Sequence, residues 1–211
     1  MRQALNFNWS FTPNFKSEYV NNISSNALLV DIPHNMVDFP FNYFDEKSFD
    51  SVGTYSKEVS LEKLNKENQY ILRFEGVNTH FNLYINGQEV GYFNRPYMEE
   101  NIDISNFLKE GNNLIVVKVM GDENVNAPPF SNTVDYFPFS GIYREVSLHM
   151  YEATELIDVR INATASGVVS VLPHLRNIHE TNYELTYEVF DGNSLIHISD
   201  EQTFTLKNIR L

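Results

Sequence analysis

Hydrophobic and polar positions alternate along most of this chain with a period of two, the signature of strands that bury one face and leave the other wet. The opening run sets the pattern: Leu5, Phe7, Trp9 and Phe11 alternate with Asn6, Asn8 and Ser10, and predict a single strand. Further strands are predicted over Ala27–Ile32, Tyr55–Leu61, Tyr70–Phe74, Phe81–Ile85, Glu89–Tyr92, Asn113–Val119 and Ile142–Met150, all rich in the β-branched and aromatic residues that fit a pleated surface. Asn86-Gly87 supplies the two positive φ angles of a type I′ turn and predicts a hairpin between its neighbours. Ser105 to Gly111 carries a capping Ser and a terminating Gly, enough for one short helical turn. The pattern pauses over Tyr151 to Glu155, which marks a domain boundary, then resumes over Leu156–Ala163, Val168–Leu172, Asn182–Phe190, Ser194–Ile198 and Gln202–Leu206. Many short strands separated by turns make an all-β protein of the sandwich or barrel class. The five strands of the tail fall short of the seven or so that an immunoglobulin-like sandwich needs.

Composition narrows the function. A hydrophobic share of 42% with 16 Phe and 12 Tyr is too apolar for a disordered chain. Lys and Arg number 15 against 28 Asp and Glu, a formal charge of -13 that repels both nucleic-acid phosphates and anionic membrane surfaces. Zero cysteines exclude disulfides, thiolate metal sites and cysteine nucleophiles. With no apolar run of signal-peptide or membrane-span length, the chain reads as soluble and cytoplasmic.

Few motifs carry chemistry. The six histidines (His34, His80, His149, His174, His179 and His197) share no metal-binding spacing, and no metal or cofactor is expected. There is no GxGxxG, no P-loop and no GxSxG elbow. Glu99 and Glu100 point to opposite faces of an extended segment and read as a solvated edge, not a catalytic pair. The sequons at Asn8, Asn22 and Asn162 read as chance matches in an asparagine-rich chain. Asn124 to Pro138, with Pro128-Pro129 and Asp135-Tyr136-Phe137-Pro138, lacks periodicity and forms a long loop of the kind that usually has a function.

Several segments, taken in order, resemble the amino-terminal region of glycoside hydrolase family 2, which includes β-galactosidases, β-glucuronidases and β-mannosidases. They are Asp31-Ile32-Pro33-His34, Asn42 to Glu46 followed by Gly53-Thr54-Tyr55-Ser56-Lys57, Arg73 to Val77 running into Leu83 to Gly91, Asp103-Ile104-Ser105, Gly111 to Leu114, and Ser140-Gly141-Ile142-Tyr143-Arg144-Glu145-Val146. The resemblance implies a galactose-binding-like jelly-roll β-sandwich over residues 1–150, followed over 151–211 by an incomplete immunoglobulin-like β-sandwich. It also implies a parent enzyme, a β-galactosidase foremost, whose two carboxylates lie on a TIM barrel. Such a barrel takes about 250 residues, more than this whole chain.

The same resemblance points to substrate contacts on loops of the front domain. Asp135, six residues before Gly141, matches the place where related galactosidases and glucuronidases carry an aspartate near the substrate. Two roles are open to it: accepting hydrogen bonds from sugar hydroxyls or capping its own loop. Asn42, Tyr43 and Asp45 form a second loop able to approach the same sugar, or to serve as packing and an Asx turn. Asn94-Arg95-Pro96-Tyr97 replaces the family's commonest glycine-rich segment. Arg144 and His34 are expected to order their own corners. The partners implied are a β-linked sugar, the catalytic barrel and a homo-oligomer mate. A stand-alone carbohydrate-binding module and a structural or oligomerisation domain are the competing readings.

Overall fold

A computed structural model describes residues 1–38, 50–122, 139–152, 154–177, 182–198 and 202–205. The chain divides into two compact units, Met1–Met150 and Tyr151–Leu211. The first contains β1 (Arg2–Ala4), β2 (Trp9–Thr12), β3 (Leu28–Val30), β4 (Val52–Leu61), β5 (Gln69–Phe74), β6 (Val77–Asn78), β7 (His80–Ile85), β8 (Gln88–Phe93), β9 (Glu100–Asp103), β10 (Gly111–Met120), β11 (Gly141–Ile142) and β12 (Val146–Tyr151). A six-stranded sheet of order β3-β2-β4-β10-β7-β8 and a four-stranded sheet of order β1-β12-β5-β9 share one hydrophobic core, and β11 pairs with β6 beside them. Phe74 of one sheet meets Phe81 of the other with ring centroids 5.2 Å apart. This is a jelly-roll β-sandwich.

Alternation builds that core. On β10, Ile115, Val117 and Val119 are buried against the facing sheet, while Val116 is buried on the opposite face. Part of that outer face is covered by the segment after β2, where Phe15 stacks on Tyr84 and lies under the Lys118 ammonium. The hairpin between β7 and β8 has Asn86 at φ +52 and Gly87 at φ +82, as the Asn-Gly pair requires. The expected helical turn is a 3₁₀ turn at Ser105–Phe107.

The opening run is not one strand. Asn8 adopts φ +59 and the chain passes from the four-stranded to the six-stranded sheet, so Leu5, Trp9 and Phe11 are buried but Phe7 is 66% exposed. Asn6 holds the crossing: its side-chain oxygen accepts from Val146 N–H, and its carbonyl accepts from Ile32 N–H. The single strand expected over Ile142–Met150 is likewise broken into β11 and β12 by Tyr143, Arg144 and Glu145. The first strand closes the unit on its last one, with Arg2 opposite His149 in the antiparallel pair β1–β12. The Met1 ammonium donates to the Met150 carbonyl at 2.6 Å, and Met150 N–H donates to the Met1 carbonyl at 2.8 Å.

The second unit is also all-β, with β13 (Thr154–Ala163), β14 (Val169–Asn177), β15 (Asn182–Leu185), β16 (Glu188–Asp191), β17 (Ser194–Ile198) and β18 (Gln202–Thr205). They form three antiparallel pairs, β13–β14, β15–β18 and β16–β17. The strand expected over Asn182–Phe190 is interrupted at Thr186-Tyr187, and its two halves take different partners. Among the described residues no helix of either unit is long and apolar enough to cross a membrane.

Candidate functional site

Asp135, Asn42, Tyr43 and Asp45 lie outside the described residues. The stems from which their segments depart are described, and they converge at one end of the sandwich. β4 begins there and β10 ends there, because Val52 pairs with Met120, and β7 begins there too, because Met120 pairs with His80. Backbone hydrogen bonds join the four stems: Met36 N–H to Ser140 O and His34 N–H to Ile142 O, both 2.8 Å, and Gly121 N–H to Ser51 O, also 2.8 Å. Each segment therefore leaves and returns within one hydrogen-bonded frame.

One wall of the frame is His34, Tyr55 and Gly141. The Tyr55 hydroxyl and His34 Nδ1 are 2.8 Å apart, and the His34 ring packs on Phe11 at 4.8 Å. Burial raises the Tyr55 hydroxyl pKa far above its ordinary value, against a smaller opposing effect from a backbone hydrogen bond with Ile142. Burial also lowers the His34 pKa, with Asp38 acting the other way. Gly141 has φ +138, and a Cβ there would collide with the His34 carbonyl and lie 2.9 Å from the Tyr55 hydroxyl. His34 thus orders its loop, as the sequence suggests, through Tyr55.

The other wall has no counterpart among the sequence expectations. Thr79 Oγ1 donates toward Met120 O at 2.9 Å and Asp122 O at 2.6 Å, and lies 3.0 Å from His80 Nδ1. His80 Nε2 stands 3.4 Å from Asp122 Oδ1, and its ring meets Tyr92 edge-on at 5.7 Å. Burial lowers the His80 pKa more than Asp122 raises it, and Lys118 adds to the lowering. Asn78 Nδ2 donates to Phe139 O at 2.8 Å, whereas its buried Oδ1 has no hydrogen-bond partner among the described residues. The available signal is three consecutive polar residues, Asn78-Thr79-His80, in an apolar stretch. All three are buried.

One expectation needs correction. Glu100 is not a solvated edge: it is 4% exposed and held by the Arg95 guanidinium, with Arg95 Nε to Glu100 Oε1 at 2.7 Å and a second, parallel contact. Only Glu99 reaches outward, where it pairs with Arg73 at 2.5 Å. Among the described residues Arg144 lies over the Tyr143 ring, 5.4 Å from its centroid. Among the described residues no group of three or more His, Asp or Glu is placed to hold a metal ion.

Chemically, the frame can position loops. Burial lowers the pKa of both of its histidines, His34 and His80.

Residues 15–152 match the sugar binding domain of glycosyl hydrolases family 2. The chain is 36% identical over 167 residues to a β-galactosidase of Thermoanaerobacter pseudethanolicus, covering 75% of this chain and 22% of that one. It is 26% identical over 193 residues to a β-galactosidase of Thermoanaerobacterium thermosulfurigenes, covering 88% and 27%. Among solved structures, β-glucuronidase 2 of Bacteroides uniformis superposes with a TM-score of 0.76 at 22% identity, covering 98% of this chain and 26% of that one. A β-glucuronidase of an uncultured Clostridium gives 0.71 at 19% identity, covering 100% and 40%. The chain thus spans about a quarter of the length of these two curated relatives. With the match to the family's domain covering most of the first unit, and the fold shared along nearly the whole chain, this protein belongs to glycosyl hydrolase family 2.

Proposed function

We propose that this chain is the non-catalytic amino-terminal portion of a family 2 β-galactosidase that hydrolyses O-glycosyl bonds by a retaining mechanism on a separate TIM barrel. In this reading residues 1–150 are the sugar-facing jelly roll and 151–211 are part of an immunoglobulin-like sandwich. The observation that carries it is the frame: the stems of the segments bearing Asp135 and Asn42, Tyr43 and Asp45 are tied together at one end of the sandwich. Loops held this way can fix a sugar ring at the barrel mouth before the barrel carboxylates act, which lowers the entropic cost of reaching the transition state. The 36% identity to a β-galactosidase supports the galactoside assignment. Apolar residues left exposed on β13 and β14, Ile161 at 62% and Leu172 at 53%, support further strands covering them in the parent. The test is Asp135→Ala in the full-length enzyme with a nitrophenyl β-galactoside. The expected loss in kcat/KM is about 1–3 kcal/mol of transition-state binding. Unchanged kinetics reduce Asp135 to a loop cap.

A second role, assembly, is favoured by β3. It is an edge strand with Leu28 62% and Leu29 70% exposed. In sedimentation, replacing both residues by Lys should lower the association state of the full-length enzyme; an unchanged profile removes this role.

A further inference from the structure

The opposite end of the first unit holds a cavity that the rim reading does not use. β4 finishes there at Leu61, paired with Gly111 at the start of β10, ten paired residues from the loop frame and so about 30 Å away. The chain following Leu61 and the 3₁₀ turn Ser105–Phe107 border a partly open cavity of about 300 Å³, lined by Leu64, Lys66, Asn68, Tyr70, Asn106 and Leu108 among others. Ligand pockets commonly run from about 300 to 1,000 Å³, so the space suits one ring.

Its walls are fixed by their own bonds. Asn65 N–H donates to the Tyr70 hydroxyl at 3.2 Å, and Asn65 Nδ2 donates to Asn68 Oδ1 at 3.2 Å. Tyr70 N–H donates to Ser105 Oγ at 2.9 Å, and Ser105 Oγ donates to Asp103 Oδ1 at 2.6 Å. What remains is unspent. Tyr70 is 1% exposed, yet its hydroxyl proton has no acceptor among the described residues. Around it stand the half-buried Asn68 amide and, at the exposed rim, the Asn106 amide and the Lys66 ammonium. A buried phenol with an unused proton is costly in a sealed core and reasonable beside a ligand.

We propose that this cavity is a second carbohydrate-binding site, taking one terminal sugar ring. Hydroxyl groups both accept and donate, and so satisfy the Tyr70 proton, the Asn68 and Lys66 donors, and both ends of the Asn106 amide. Leu64 and Leu108 offer an apolar surface to the C–H face of a pyranose. A site of this kind anchors a glycan chain at a distance from the bond being cleaved.

The test is titration of the 211-residue chain, isotope-labelled at asparagine, with methyl β-D-galactopyranoside, followed by NMR. Saturable shifts of the Asn68 and Asn106 side-chain amides are expected, and their position separates this site from the loop end. Tyr70→Phe keeps the ring and should weaken binding about threefold to tenfold, the effect of one hydrogen bond. Asn106→Ala, at an exposed position that does not endanger folding, should weaken it similarly. Absence of shifts at those amides, undiminished binding by Asn106→Ala, or equally tight binding of glycerol overturns the proposal.

Discussion

Gly141→Ala is a severe single-methyl change at the loop frame. The added Cβ meets the His34 carbonyl at a separation that real Cβ atoms do not tolerate, and lies 2.9 Å from the Tyr55 hydroxyl. Neither neighbour can retreat. The His34 backbone is pinned by its own N–H to Ile142 O at 2.8 Å, and Tyr55 is fully buried and tied to the His34 ring. Alanine must also accept φ +138, a conformation costing about 1–3 kcal/mol. Overpacking adds about 1–3 kcal/mol, for a total of about 2–6 kcal/mol, a large part of the 5–15 kcal/mol that holds a typical domain. Trp9, the sole tryptophan and fully buried, reports the first unit alone by fluorescence. With a urea m-value of about 2 kcal/mol/M, the unfolding midpoint should drop by about 1–3 M. Gly111→Ala separates the two costs. Gly111 has φ +81 but nothing within 4 Å of where a methyl group would stand, so it should lose only about 1–2 kcal/mol. Equal midpoint shifts for the two variants, or a Gly141→Ala shift under about 0.3 M, would refute the steric account.

The remaining predictions use the same fluorescence readout. His34 and His80 both titrate below the ordinary 6.5, chiefly through burial, so the unfolded chain takes up their protons more readily than the folded one. Their contribution to stability is complete above pH 6.5 and is lost as pH falls from there toward the folded values. The urea midpoint should therefore be lower at about pH 5.5 than at about pH 7.5, and His80→Gln should flatten that slope; an unaltered slope dismisses His80 as a contributor. Arg95→Ala strands the buried Glu100 carboxylate and should cost about 1–3 kcal/mol, reduced from a fully buried pair because Arg95 is 56% exposed. Adding Glu100→Gln should recover part of that loss, and no recovery would mean that the Arg95 stem, not its charge, matters.

Where structure follows from neighbours in sequence, the pattern of residues is enough. Asn86-Gly87 names its turn, and Ile115, Val117 and Val119 name the buried face of their strand. Alternation misleads where the chain changes sheets, because Leu5 to Phe11 keeps its period through a reversal at Asn8 that turns Phe7 to solvent. Charge misleads at Glu100, whose partner Arg95 lies five residues earlier in a segment that stands out in the sequence only for its departure from the family's pattern. The loop frame is half legible: His34 and Gly141 stand out, but the meeting of His80 with Asp122 depends on the register that sets His80 opposite Met120. No local pattern encodes a pairing across 40 residues.

The clasp between Met1 and Met150 brings the two ends of the first unit side by side. During synthesis its leading strand stays without a neighbour until Val146–Tyr151 has left the ribosome, so the sandwich completes late. Conversely, a short tether could splice these adjacent ends and new termini be cut at another surface turn, giving a circular permutant, or the whole unit could be inserted as a cassette into a host loop.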